Sequence, residues 1–150
     1  MQPDCTPAGS DLLLGTLADF RFELRRFLLF SESAALHAGL QPQQHQLLLQ
    51  VAGAPVGTIA TISYAADRLG LKHNSTVELV NRSELEGLLT RVADPEDKRR
   101  AILRVTAKGN RLLRRLSGAH ALELNQMAPR LMQALQDIQL HMHSSDPAKV

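Results

Sequence analysis

The chain has 150 residues, 44% of them hydrophobic and 21% charged, the balance of one globular domain rather than of a disordered or membrane-embedded chain. Aromatics make up only 3% and Trp is absent, so the core must come from Leu, Ala, Val and Ile, which favours helices. Net charge is +2 with a pI near 9.0, a single Cys5 excludes an intrachain disulfide, and neither a membrane-length apolar run nor a signal peptide is present, so a cytoplasmic location is expected.

Residues 1–9 carry two prolines, a glycine and little apolar content and are expected to form a flexible arm. Ser10 or Asp11 then caps a long helix in which Leu13, Leu17, Phe20, Leu24, Phe27 and Leu28 form an amphipathic stripe, running to about Ala38 and stopped by Gly39. A second helix enters at Pro42 and ends at Gly53. A third follows Thr61, turns Ile62, Ala65, Ala66 and Leu69 inward and stops at Gly70. The next helix starts at Asn74, or at Ser75 with Glu78 as a capping box, and is closed by Gly87. Val77, Val80 and Leu85 are its expected inner face.

Leu88 to Ala93 and Ala101 to Thr106 then read as two strands around the charged turn of Asp94-Pro95. Thr106 or Lys108 opens a long helix that Pro129 is expected to break, and a last helix leads to a polar tail. The predicted fold class is therefore mainly α with a small β-hairpin wing, a winged helix-turn-helix flanked by long N- and C-terminal helices.

Two short helices joined by a tight glycine turn, the second opening with small polar residues and followed by a hairpin, suit a DNA reader. An α-helix fits the major groove and presents its N-terminal side chains to base edges. His73, Asn74, Ser75, Thr76 and Glu78 are the candidate base-facing residues, with Asn81 and Arg82 a turn or so further on. At the hairpin tip, Lys98, Arg99 and Arg100 suit phosphate contact or insertion into a narrow minor groove, and the adjacent acids orient the guanidinium groups. The basic run continues through Arg104, Lys108, Arg111, Arg114 and Arg115, where a solvated helix face competes with phosphate contact.

The segment from "LQPQQHQLLLQVAG" to "GLLTRVADPEDKRRAILRVTAKG" resembles the MarR/SlyA family of bacterial transcription regulators, over roughly residues 12 to 140. Its most specific part is met by Gly87, Leu88, Asp94, Pro95, Asp97, Arg99, Val105, Thr106 and Gly109. The resemblance implies a homodimer with interlocked terminal helices (residues 10–38 and 110–144) and winged-helix lobes (residues 40–109), each reading half of a palindrome. It further implies that Arg99 reaches the minor groove with Asp97 as its orienting partner, and that a small aromatic or phenolic effector releases the DNA. The chain departs from the pattern at Ser83, where Leu is common and whose packing Leu85 is expected to take over, and at Glu86, where a basic residue is common.

Phe27, Phe30, His37, His45 and His120 are the candidate effector-pocket residues, since the first, second and long C-terminal helices should bring them near one another. No metal or other cofactor is expected, because no histidine pair has close helical ligand spacing except His141 and His143, which face different directions. Nor is an enzyme: no nucleophile, base and acid converge by spacing, and neither a P-loop nor GxGxxG occurs. Double-stranded DNA, a second copy and a small effector are the expected partners of a repressor-like regulator. The competing reading is a dimeric interaction module that has lost specific DNA binding, or a sensor using Cys5 or a metal.

Overall fold

A computed structural model describes residues 8–144, in the order α1 (Ala8–His37), α2 (Pro42–Ala52), α3 (Ile62–Leu69), α4 (His73–Leu85), β1 (Leu89–Ala93), β2 (Ala101–Val105) and α5 (Ala107–Ser144). Helix α1 begins at Ala8, two residues inside the expected arm; the rest of that arm, Cys5 included, lies outside the described residues. The chain divides into two compact units. One comprises residues 31–119 and the other the remainder of α1 and α5.

The unit of residues 31–119 has an aliphatic core built on Leu47, Leu48, Leu79, Val80, Leu88 and Leu89, all essentially buried. Each helix that feeds it is started or stopped by local chemistry. In α2, Pro42 stands in the first turn, where its missing N–H costs nothing, and the buried Gln44 accepts the Gln41 N–H at 3.0 Å. In α3, Thr61 Oγ1 accepts the Tyr64 N–H at 3.1 Å. Strands β1 and β2 pair antiparallel, Leu89 with Val105 through Ala93 with Ala101. Leu103 N–H also donates to Ala60 O at 2.7 Å, which fastens the hairpin to the segment before α3.

Two expectations fail here. Helix α4 starts at His73 with Lys72 as its N-cap and no side-chain cap, so Asn74 and Ser75 lie inside the first turn instead of capping it. Leu85 is 88% exposed and does not replace a core residue; Ser83 itself is fully buried, its Oγ donating to Leu79 O at 2.8 Å. A hydroxyl that bonds the carbonyl one turn back needs no other partner, so a serine fits the site where a larger residue was expected.

In the other unit, α5 runs through Pro129 without interruption. Pro129 is exposed, so water can serve the carbonyl it leaves unpaired, and one lost bond does not end a helix of 38 residues. Met127 is fully buried here. Glu23 on α1 is buried too and accepts from Arg130 Nε at 2.9 Å and from Arg130 Nη2 at 3.2 Å, a two-pronged ion pair between helices. Among the described residues no helix is long and apolar enough to cross a membrane.

Candidate nucleic-acid interface

The turn between α3 and α4 fixes the presentation of α4. Gly70 takes a left-handed conformation (φ 64°), its N–H bonding Asp67 O while Leu71 N–H bonds Ala66 O. This doubly bonded stop lets a second helix begin at His73 after only three residues. His73, Asn74 and Ser75 then occupy the exposed first turn of α4, Glu78 follows one turn on, and Asn81 and Arg82 are exposed beyond it. Thr76 departs from expectation. It is fully buried and its hydroxyl donates to Lys72 O at 3.1 Å, so it is a core residue and not a base-facing one.

The hairpin tip is built around two aspartates. Asp94 is buried; its Oδ1 accepts the Glu96 N–H at 2.9 Å and its Oδ2 lies 2.8 Å from the Arg100 guanidinium. The Glu96 N–H holds the Asp94 carboxyl below its ordinary pKa, helped by the charge of Arg100, while burial pulls the other way. Asp97 accepts the Arg99 backbone N–H at 3.0 Å and lies 3.4 Å from Arg99 Nε. The Arg99 side chain stays 94% exposed beyond that contact, and Lys98 is exposed beside it. Sequence reasoning found Asp97 but missed Asp94 as the anchor of the tip. The signal was the Asp-Pro pair itself, since an Asp carboxylate accepting a backbone N–H two residues on is a turn-making device.

A groove of about 640 Å³ opens between these features, bounded by Thr61, Ser63, His73, Arg99 and Arg100. Behind it the start of α5 holds the end of α4. Thr106 Oγ1 donates to Gly87 O at 2.7 Å and Lys108 Nζ to Glu86 O at 2.8 Å. Lys108 is thus committed to the carbonyl at the C-terminal end of α4, where its charge also complements the negative end of the helix dipole. Arg91, on β1, reaches Asn81 Oδ1 and lies 3.6 Å from Glu84, which no sequence pattern suggested. Arg104, Arg111, Arg114 and Arg115 are exposed.

The candidate pocket residues divide between the units. In one, the His120 ring meets Phe27 and Phe30 edge-on, with centroids 5.9 and 5.5 Å apart. In the other, His37 is exposed with Nδ1 2.7 Å from Ser33 O, and His45 is buried in α2. Among the described residues no group of three or more His, Cys, Asp or Glu gathers as metal ligands would.

Fold and site together define a winged helix-turn-helix protein: a short helix pair with a polar, exposed N-terminal turn, and a hairpin carrying an exposed arginine. Residues 38–100 match the model of the MarR family. A MarR family transcription regulator of known structure superposes with a TM-score of 0.72 at 19% identity, covering 90% of each chain. The PcaV transcriptional regulator from Streptomyces coelicolor is 27% identical with a TM-score of 0.54, covering 81% of this chain and 91% of that one. The MepR–DNA complex from S. aureus gives 0.58 at 19% identity, covering 79% and 97%. No curated protein matches.

Proposed function

We propose that this chain is a sequence-specific DNA-binding transcriptional regulator that acts as a homodimer on a palindromic operator, as a ligand-responsive repressor. The observation that carries the reading is the pairing, in one compact unit, of an exposed polar turn opening α4 with a hairpin whose Arg99 is 94% exposed and oriented by Asp97. The first suits base edges in a major groove and the second the phosphates or minor groove beside it. That one structural neighbour is a protein–DNA complex adds support.

The terminal helices supply the reason for a second copy. On α1, Leu12 is 70% exposed and Leu28 and Leu29 each 56%; on α5, Leu122 is 61% and Leu140 67% exposed. A surface this apolar marks a protein contact. Two copies would offer two recognition helices, and half-sites about one DNA turn apart would let both enter successive major grooves. A small aromatic or phenolic effector would act by binding one dimer geometry better than another, and only by that difference in affinity.

The test is selection of bound duplexes from a random pool by the purified full chain, followed by a salt series on the best of them. The expected result is an enriched palindrome whose affinity falls steeply with salt. A pool without enrichment would favour an interaction module without DNA specificity.

A further inference from the structure

The two arginines of the groove between α3, α4 and the hairpin tip differ in freedom. The Arg99 side chain is 94% exposed. Arg100 is pinned along its backbone, its N–H donating to Asp97 O at 2.9 Å and its O accepting the Asp94 N–H at 3.2 Å. Its side chain is tied as well, Nη2 standing 2.8 Å from Oδ2 of the buried Asp94. A guanidinium carries five N–H donors, and one carboxylate oxygen occupies few of them. With its side chain 45% exposed, Arg100 still presents donors to the groove that it lines.

The other walls come from the first turn of α3 and the start of α4. Ser63 is exposed there, and Thr61, whose Oγ1 accepts the Tyr64 N–H, keeps its hydroxyl proton for a further acceptor. His73, the first residue of α4, completes the lining. None of the residues lining the groove is acidic. Neither α3 nor α4 has an acid in its first turn, although one there would interact favourably with the helix dipole. Cationic and hydroxyl donors without a competing carboxylate suit an anion.

From this we infer that the groove seats one phosphate of the DNA backbone, gripped by Arg100 from the hairpin and by the hydroxyls of Thr61 and Ser63 from α3. The inference rests on the DNA-binding reading above and gives the two arginines different work. Arg100, tied in place, holds a phosphate, while Arg99 stays available to the minor groove beside it. A phosphate contact carries no sequence information; it fixes the register at which α4 enters the major groove.

A double-mutant cycle between protein and DNA tests it on the duplex selected by the wild type. Each phosphate of one half-site is replaced in turn by an uncharged methylphosphonate. Affinities are then measured for the full-length wild type, Ser63→Ala and Arg100→Lys, with thermal midpoints to establish folding. Ser63→Ala deletes one hydroxyl at an exposed position. Arg100→Lys keeps a charge for Asp94 but loses the branched end that reaches the phosphate as well. On the unmodified duplex Arg100→Lys should weaken binding about tenfold, the loss of one charge-assisted hydrogen bond, and by the same factor on unselected sequences. One methylphosphonate position should cost the wild type about tenfold and cost both variants clearly less, because they have already lost part of that contact. Should Arg100→Lys fail to fold, Ser63→Ala still decides the matter.

A free phosphate ion offers the groove the same chemistry, and a loss tied to one position of the duplex identifies the backbone as its source. The inference is overturned if every methylphosphonate costs the variants as much as it costs the wild type. It is also overturned if inorganic phosphate raises the wild-type thermal midpoint above that of a chloride control of equal ionic strength while no position on the duplex responds. A wild-type chain that retains no duplex overturns the DNA-binding reading together with this one, whereas tight wild-type binding with additive losses removes this one alone.

Discussion

Arg99 and Asp94 divide the work of the hairpin tip between them. Arg99 is almost wholly in solvent, its guanidinium lying against Asp97, so its removal should leave the fold intact and act on DNA alone. Arg99→Ala is expected to weaken operator binding by about 1–3 kcal/mol, the size of one well-formed groove contact. Unchanged affinity in a filter or anisotropy titration would take the wing out of the mechanism. Asp94 is the opposite case, buried and holding the turn through Glu96 N–H and Arg100. Its carboxyl is held below its ordinary pKa in the folded chain, chiefly by the Glu96 N–H. A group depressed in this way contributes stability that is complete above its unfolded pKa and is lost as pH falls through the folded value. The wing should therefore loosen in acid, below about pH 4, and Asp94→Asn should flatten that dependence. Hydrogen exchange of the amides of residues 94–100 between pH 3 and 7 would read it, and parallel profiles for the two chains would exclude Asp94 as the titrating anchor.

At the scale of elements, the junction of α4, β1 and α5 is closely packed. Gly87 closes α4 at φ 70°, its N–H bonding Glu84 O while Leu88 N–H bonds Ser83 O. Gly109 is constrained differently. A Cβ there would press on the Leu88 carbonyl oxygen and stand 2.6 Å from Val105 Cγ1, so the start of α5 can approach only as glycine. Gly109→Ala is expected to destabilise the fold by about 1–3 kcal/mol through overpacking, seen as a lower thermal midpoint, whereas Ala at Gly118, where a Cβ meets nothing within 4 Å, should not. Equal midpoints for the two variants would deny that the junction is tight.

Gly70 and Gly87 were legible in the sequence because a helix stop is a local event, written in the residue that must take the left-handed conformation. The hairpin was legible for the same reason, through Asp-Pro and the alternation that follows it. What escaped depended on surroundings. Pro129 stays inside α5 because 38 residues of helix outweigh one missing bond, and Ser83 is buried because its hydroxyl is satisfied one turn back. Of the candidate interface, the polar turn and wing cations could be named in advance. Burial of Thr76 and the grip of Arg91 on Asn81 could not, since both require knowing which face of α4 meets the core and β1.

At the scale of the whole molecule, the exposed apolar residues of α1 and α5 decide how the protein should behave in solution. Within the unit they share, Met127 and Ala134 are buried, but Leu28, Leu29, Leu122, Leu135 and Leu140 are each 48% or more exposed. Such surface is stabilising only when something covers it, and roughly 25 cal/mol is at stake per Å² removed from water. If a second copy covers it, folding and association are linked, and the thermal midpoint rises with protein concentration by mass action. Leu28→Lys and Leu135→Lys then place charges where the chain alone meets water but the dimer would bury them. Each should leave helix content nearly unchanged while shifting the mass in sedimentation toward the monomer. Operator affinity should fall with it, because a single lobe holds one half-site while a dimer holds two on one duplex. A midpoint independent of concentration, with variants that sediment as the wild type does, would mean that these helices are not the dimer surface and that the palindromic operator needs another explanation.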